Sequence, residues 1–315
     1  MGGAVISTLF RFTWIKLLRA VLSIALMVTC VFVLLRSVGD PVTIFLGPDA
    51  TPDMRIAYAR ELGLDKPVLQ QYLAYAENIL HGSFGRSYIY HRDALTVVFN
   101  NLGATLTLMA TSLALAVVMG LGAGIIAAVF RRKLVDRLVT IVSSVGLCVP
   151  AFFLALVLML IFSIELRLLP TNGAQSWSSL ILPAITVAVA NSAVLARYTR
   201  TVLAEALDSP FVVAARARDI PSWRILVHHA LPNAAIPILT VLGLMVGGLV
   251  TGSIVVETVF SWPGIGNLFI SSIGNRDIPV VQAIVILAGA VMVLTNLVVD
   301  VLYVVVDPRA RRSDH

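Results

Sequence analysis

Six apolar runs, each long enough to cross the hydrocarbon core of a bilayer, dominate this chain: residues 17–35, 102–130, 138–164, 180–196, 234–256 and 280–299. A spanning helix needs about 20 predominantly apolar residues. No water reaches its backbone there, so each run has to close its own hydrogen bonds as a helix. Composition agrees, with 58% hydrophobic and 13% charged residues, against roughly 45–50% and about 25% in soluble domains. The expected class is an all-α integral membrane protein with six transmembrane helices.

A net charge of +6 would suit nucleic acid, but no basic run is interleaved with aromatics, and nucleic acid is excluded as a partner. The basic residues sort by loop instead. With the N-terminus inside, fifteen of the 23 Lys and Arg lie in inner segments: Arg11, Lys16 and Arg19, then Arg131, Arg132, Lys133 and Arg137, then Arg197, Arg200, Arg216, Arg218 and Arg224, then Arg309, Arg311 and Arg312. The two short outer loops carry only Arg167 and Arg276. This is the positive-inside pattern with both termini cytoplasmic. The first run follows positive residues as a secretory signal does, yet it is long and Arg36-Ser37-Val38-Gly39-Asp40 offers no small-x-small cleavage site, so it reads as a retained helix. The division expected is an inner segment 1–16, a first span 17–35, a periplasmic region 36–101, a core of five spans over 102–306 and an inner tail 307–315.

Two of the connecting segments have room for structure. Outside, Thr51-Pro52-Asp53 opens a short helix that Gly63 stops, and Asp65-Lys66-Pro67 opens a second that runs through Tyr72 and Tyr75 to Gly82. Two such helices cannot bury a core alone; they make an insertion between the first and second spans, expected against the membrane or a partner. Inside, residues 197–233 hold Ser209-Pro210, an N-cap followed by proline at the first helical position, with Asp208 near the positive end of the dipole. That helix runs through Phe211, Val212, Val213, Ala214, Ala215, Arg216, Ala217 and Arg218. Ile220 before Pro221 leaves the helical region, and a second short helix is expected from Ser222 to about His229.

Catalytic and metal chemistry has no footing in the motifs. None of Lys16, Lys66 and Lys133 stands in a phosphate-binding G-x-x-x-x-G-K-[ST] loop, and His81, His91, His228, His229 and His315 have no metal-ligand spacing. Cys30 and Cys148 each lie in mid-span with no partner spacing. The chain is expected to be a transport subunit and not an enzyme, to bind no cofactor and to need its energy from another chain. The alternative of an ion-coupled secondary carrier lacks the ionisable residues inside the spans that such carriers use; Glu165 and Glu257 read as lying just beyond outer ends.

Ala214-Ala215-x3-Asp219-x9-His229-x-Leu231-Pro232 has the spacing of the E-A-A-x3-G-x9-I-x-L-P cytoplasmic loop of ABC-importer permeases. Further segments agree: Val38-Gly39-Asp40-Pro41, Leu62-Gly63-Leu64-Asp65-x-Pro67, Gly82-x-Phe84-Gly85-x-Ser87, Trp262-Pro263-Gly264-Ile265-Gly266, Arg276-Asp277-x-Pro279 and Asp307-Pro308-Arg309. Over about residues 15–312 the chain resembles the dipeptide, oligopeptide and nickel branch of that family, as its first, B-type permease. It departs at Asp219, where the family has glycine, at Val213, where the wider pattern has glutamate, and at Ser83, where the branch often has aspartate.

The resemblance implies a type I ABC-importer permease fold in the bacterial cytoplasmic (inner) membrane. It also implies a second homologous permease, two ATPase subunits or domains holding ATP and Mg, and an external substrate-binding protein that delivers short peptides; nickel complexes or other small solutes are the alternative cargo. Ser209, Pro210, Phe211, Val212, Ala214, Ala215, Arg216, Ala217, Arg218, Asp219, Leu231 and Pro232 are then the expected ATPase-coupling residues, with Ala215 in the short helix where close approach to the ATPase is required. Asn191 and the G-x-x-x-G pairs Gly243/Gly247 and Gly248/Gly252 are candidates for the path or the subunit seam, the alternative being packing within the chain. Asp65, Tyr72, Trp262, Arg276 and Asp277 are candidate outer contacts. Pro150 in the third run is either a filled kink or a hinge.

Overall fold

The computed structural model describes residues 16, 18–34, 42, 46, 51–61 and 64–306. Among them the regular elements are helices, and strand-like pairing is limited to one antiparallel bridge between Arg86 and Asp93. In chain order they are α1 (Leu18–Leu34), α2 (Pro52–Glu61), α3 (Val68–Leu80), α4 (Ala94–Val129), α5 (Leu134–Cys148) and α6 (Ala151–Met159), which a π-helical turn extends over Leu160–Glu165. Then come α7 (Ser178–Leu207), α8 (Pro210–Ala217), α9 (Ser222–Ile225), a π-helical turn at Leu226–Ala230, α10 (Leu231–Val259), α11 (Ile265–Gly274) and α12 (Ile278–Val306).

Four described helical stretches are long and apolar enough to cross a membrane: α4, α7, Ser222–Leu249 and Ile278–Thr295. The third run, expected as one span, is instead broken, with α5 and the α6 segment meeting at 100°, and it makes a fifth span only if the bent pair counts as one. The cause is local. Pro150 brings no N–H to the ladder and drives the residue before it out of the helical region, and Val149 is extended at φ −79° and ψ 119°. The first run is represented by α1, whose neighbours 17 and 35 lie outside the described residues, as does Gly63, the expected stop of α2.

Contacts divide the chain into two units, Met1–Gly103 with Leu268–Leu297, and Ala104–Asn267 with Val298–His315. In the first unit α3 lies on α1. The Thr29 and Tyr72 hydroxyls are 2.8 Å apart, and Phe32 meets Tyr72 edge-on with ring centres 5.3 Å apart and Tyr75 at 5.4 Å. The Tyr75 hydroxyl has no hydrogen-bond partner among the described residues, and burial, then the neighbouring Tyr72, pushes its pKa up. Elsewhere in this unit two motifs that are far apart in sequence meet: Ser87 Oγ and the Tyr88 N–H donate to the buried Asp277 carboxylate, and Gln282 Nε2 donates to the Phe84 carbonyl. Asp277 thereby ties the loop before α4 to the start of α12.

In the second unit α7 is the hub, packed against α5, α6 and α10. A fully buried patch of Leu195, Leu203, Ala230 and Ala234 sits at its centre. Close approach of α4 depends on Gly120 and Gly124. A Cβ at Gly120 would fall 2.8 Å from Leu195 Cβ and 2.9 Å from the Ser192 carbonyl, and one at Gly124 would fall 2.6 Å from Thr199 Cβ.

Glu257 lies beyond the apolar stretch Ser222–Leu249, as expected, but still inside α10, and it is fully buried. Its Oε2 accepts the Gly266 and Asn267 N–H groups at 2.6 and 3.2 Å, and its Oε1 accepts the Thr105 hydroxyl at 2.9 Å. It therefore caps α11, whose first N–H groups have no helical partner. The glycines of Trp262-Pro263-Gly264-Ile265-Gly266 give the carboxylate room, since a Cβ at Gly264 would sit 2.5 Å from Glu257 Cδ and one at Gly266 2.9 Å from Glu257 Oε2.

Candidate functional site

The segment between α7 and α10 folds as two short helices held on a small apolar core. Val212 and Ala215, one turn apart on α8, are buried against Ile225 of α9, with Ile220 packed beside them. The residues between point away: Phe211, Val213, Ala214, Arg216, Ala217 and Arg218 are exposed. Ala215 lies on the buried face. Its close contact is with its own chain, and the face open to a partner is built from its neighbours.

Both ends of α8 are closed, though not as the residue types suggested. Ser209 occupies the N-cap position, but its hydroxyl donates backwards to the Ala206 carbonyl and makes no side-chain cap. Asp208 pairs with Arg131, whose hydrogen bond holds the Asp208 carboxyl below the usual carboxylate range. At the other end Asp219 stands at φ 55°, its N–H donating to Arg216 O at 3.0 Å while Ile220 N–H reaches Ala215 O at 3.3 Å. That crossed pair, with the Ile220–Ala215 apolar contact, is the Schellman arrangement in which glycine usually holds the left-handed position. Asp tolerates that conformation better than most residues, so the departure from glycine is absorbed locally.

Pro232 explains the other irregularity. It has no N–H for the carbonyl four residues back, so the chain widens into the π-helical turn Leu226–Ala230 before α10 resumes. The second short helix is thus not separate from the fifth apolar run; α9, the π turn and α10 follow one another without a gap. Leu231 packs partly on the α7 core, and Pro232 is exposed. Trp223, not singled out by the sequence reading, is 58% exposed, with the Arg224 guanidinium 5.3 Å from its ring centre and His228 edge-on. A tryptophan in a polar loop was the available signal.

Neighbouring helix ends are clamped by charge. Arg200 Nε and Nη2 of α7 donate to the two oxygens of Asp136 on α5 at 3.0 and 2.9 Å, and the Arg132 N–H adds a third bond to Asp136 at 2.9 Å. A fork-to-fork pair of this kind fixes orientation as well as distance.

Two family models cover nearly the whole chain: "Binding-protein-dependent transport system inner membrane component" matches residues 120–312 and its N-terminal counterpart residues 9–119. The chain belongs to this permease family. The glutathione transport system permease protein GsiC of Escherichia coli (strain K12) is 41% identical over 273 residues, spanning 87% of this chain and 89% of that protein. GsiC of Shigella flexneri serotype 5b matches equally. Among solved structures, the inward-facing MetNI methionine ABC transporter has a chain that superposes with TM-score 0.57 at 18% identity, covering 68% of this chain and 97% of its own. An amino acid ABC transporter with histidines gives 0.56 at 17% identity, covering 66% and 94%. These two show the fold. The chain is a multi-pass inner-membrane permease component of an ABC importer, a transport subunit and not itself catalytic.

The permease engages most of its candidate outer contacts internally. Tyr72 is bonded to Thr29, Trp262 is 5% exposed with its Nε1 donating to the Ala104 carbonyl at 2.9 Å, and Asp277 holds Ser87 and Tyr88. Only Asp65 and Arg276 of the five are exposed. Asn191 is half-buried and donates to the Val187 carbonyl of its own helix at 2.8 Å. Gly243 and Gly247 are half-buried, whereas Gly248 and Gly252 are exposed and, among the described residues, nothing lies within 4 Å of a Cβ built on either. The expected packing of this second pair within the chain is not what the structure shows. The tight glycine contact is at Gly120 and Gly124, whose G-x-x-x-G spacing was equally visible in the sequence.

Proposed function

We propose that this permease, with a second and homologous permease subunit, forms a six-span path for short peptides of the glutathione type, delivered by an external binding protein. Two ATPase subunits supply the energy from ATP and Mg. The observation that carries the substrate class is the 41% identity to a glutathione permease along 87% of the chain; glutathione is a small peptide. Both termini lie in the cytoplasm on this reading, residues 36–101 outside, and α8 docks in an ATPase cleft. Closure of the ATPase pair then moves α8 and rocks the helices between outward-open and inward-open states. Support for that role comes from the division of α8 into a buried face, Val212 and Ala215, and an exposed face that includes Phe211, Val213 and Ala214. The small Ala214 and Ala217 permit close approach. The open glycine edge, Gly248 and Gly252, faces the second permease or the path.

Uptake by cells lacking this chain is the test of cargo. Loss of glutathione or dipeptide uptake, restored by the gene, is expected; unchanged peptide uptake with reduced nickel accumulation would replace peptide by the alternative cargo. Coupling is tested with the assembled complex in vesicles. Ala214→Glu, on the exposed face, should leave the complex assembled but abolish substrate-stimulated ATP hydrolysis and uptake together. Normal coupled transport by Ala214→Glu would remove α8 from the ATPase contact.

A further inference from the structure

The helical period sorts the exposed side chains of α8 by direction. With Val212 and Ala215 buried, Val213, Ala214 and Ala217 fall on the opposite side, Arg216 on one flank, and Phe211 and Arg218 on the other. The outer ridge is therefore small and uncharged, because Val213 stands where the wider family pattern has glutamate. Its flanks set the charge of the face, and they are basic. A second element adds to the Arg216 flank. Arg131, in the turn between α4 and α5, pairs with Asp208, the residue that closes α7 just ahead of α8. That hydrogen bond, and then the charges of Arg132 and Arg216, hold the Asp208 carboxyl low, so three guanidinium groups act on one carboxylate. Arg131 satisfies it. Arg132, Arg216 and Arg218 are exposed and make no ion pair among the described residues.

A basic face of this kind suits either anionic headgroups or a protein groove, and the ridge separates the two. A helix lying in the headgroup layer sinks a continuous face of large apolar side chains toward the acyl chains. α8 has none to offer: Val212 is spent on Ile225, and Phe211 and Val213 stand about 160° apart around the helix. A ridge of one valine and two alanines instead lets another backbone come close. We propose that this ridge, with Arg132 and Arg216 beside it, is one docking face for an ATPase groove that has an apolar floor and carboxylates on its lips. The inference rests on the reading that α8 docks in an ATPase cleft; it adds the chemistry of that cleft and brings the α4–α5 turn into the contact. The permease then recognises its ATPase by charge as well as by shape.

The test is retention of the ATPase subunits by the complete complex in phosphatidylcholine nanodiscs, followed as salt rises from about 0.05 to 0.5 M, where screening shortens from over 10 Å to a few Å. The unmodified complex should release its ATPase as salt rises. At low salt Arg132→Gln and Arg216→Gln should each weaken retention about fivefold, the scale of one exposed charge pair, and each should flatten the salt dependence. Arg216→Lys should stay near the unmodified complex. Arg167→Gln, beyond the opposite end of the 30-residue α7, should change nothing. Retention that ignores salt, or undiminished retention in both glutamine variants, overturns the acidic groove; if Ala214→Glu releases the ATPase in the same assay, docking of α8 itself still stands. Unchanged retention in Ala214→Glu removes both the docking and the inference built on it. An arginine effect that appears only when phosphatidylglycerol is added to the nanodiscs would assign these side chains to lipid and overturn the proposal. The salt series on the unmodified complex decides even where a variant does not assemble.

Discussion

The permease carries the same glycine spacing on two helices and uses it in opposite ways. Gly120 and Gly124 of α4 let α7 approach until a Cβ would collide with the Ser192 and Ala196 carbonyls, while at Gly248 and Gly252 of α10 a Cβ would meet nothing within 4 Å among the described residues. The spacing therefore states that a flat, narrow helix face exists. It does not state what lies on that face, because a partner is a property of two surfaces and a motif describes one.

The largest effect expected from this contrast is at Gly124. A methyl there meets Thr199 Cβ at 2.6 Å and a backbone oxygen at 2.7 Å, neither of which can swing away. Gly124→Ala should destabilise the permease by about 2–3 kcal/mol, since overpacking of this kind typically costs ~1–3 kcal/mol and the neighbours here are rigid. A fall in the thermal midpoint of the detergent-solubilised complex checks it, and Gly120→Ala should fall by less, its contacts being 2.8 and 2.9 Å. An unchanged midpoint in both would break the contrast at its closed side.

Next in size is the open side. Gly252→Leu should leave this chain expressed and folded while reducing co-purification of the second permease, if the open edge is the seam. Normal co-purification with lost transport would place the edge on the path instead. Milder still is Gly248→Ala: with nothing for the methyl to strike, the helix should gain up to ~1 kcal/mol from lower backbone freedom in the unfolded chain. A destabilised Gly248→Ala would mean that something packs on this edge in the assembly.

The smallest effect concerns a glycine that is missing. Asp219 holds a left-handed turn at φ 55°, so Asp219→Gly should stabilise the end of α8 by at most ~1 kcal/mol, with coupling unchanged. Slower hydrogen exchange at Arg218, Asp219 and Ile220 would show it; faster exchange there would mean that the Asp219 side chain holds the turn.

Much of the fold was legible beforehand because it follows from local chemistry. Apolar run length places most of the spans. Pro at the first position places the start of α8 at Pro210, and a proline after Ile220 forecasts its end. The pattern of the loop between α7 and α10 identifies the family. Local signals failed where a residue had two competing partners. Ser209 and Asp208 read as a helix cap, yet the Ala206 carbonyl and Arg131 claim them. Pro150, read as a kink or a hinge, does stand at a break, and only the size of the bend, 100°, was not legible. Glu257 lies beyond the apolar stretch as its sequence position indicates, but that it is the buried cap of α11 is not written near it.

What the sequence by itself determined is the class of molecule, its membrane-spanning helices and the position of the loop that marks its family, since each depends on residue type and spacing along one chain. What only the tertiary structure decided is which faces are taken. Ala215 turns inward and Ala214 outward, Asp277 joins two motifs 190 residues apart, and one glycine pair is closed while the other is open. Such outcomes depend on how distant segments meet, because a buried polar group must find a donor and a narrow helix face must find a neighbour, and neither requirement is written within reach of the residue that imposes it.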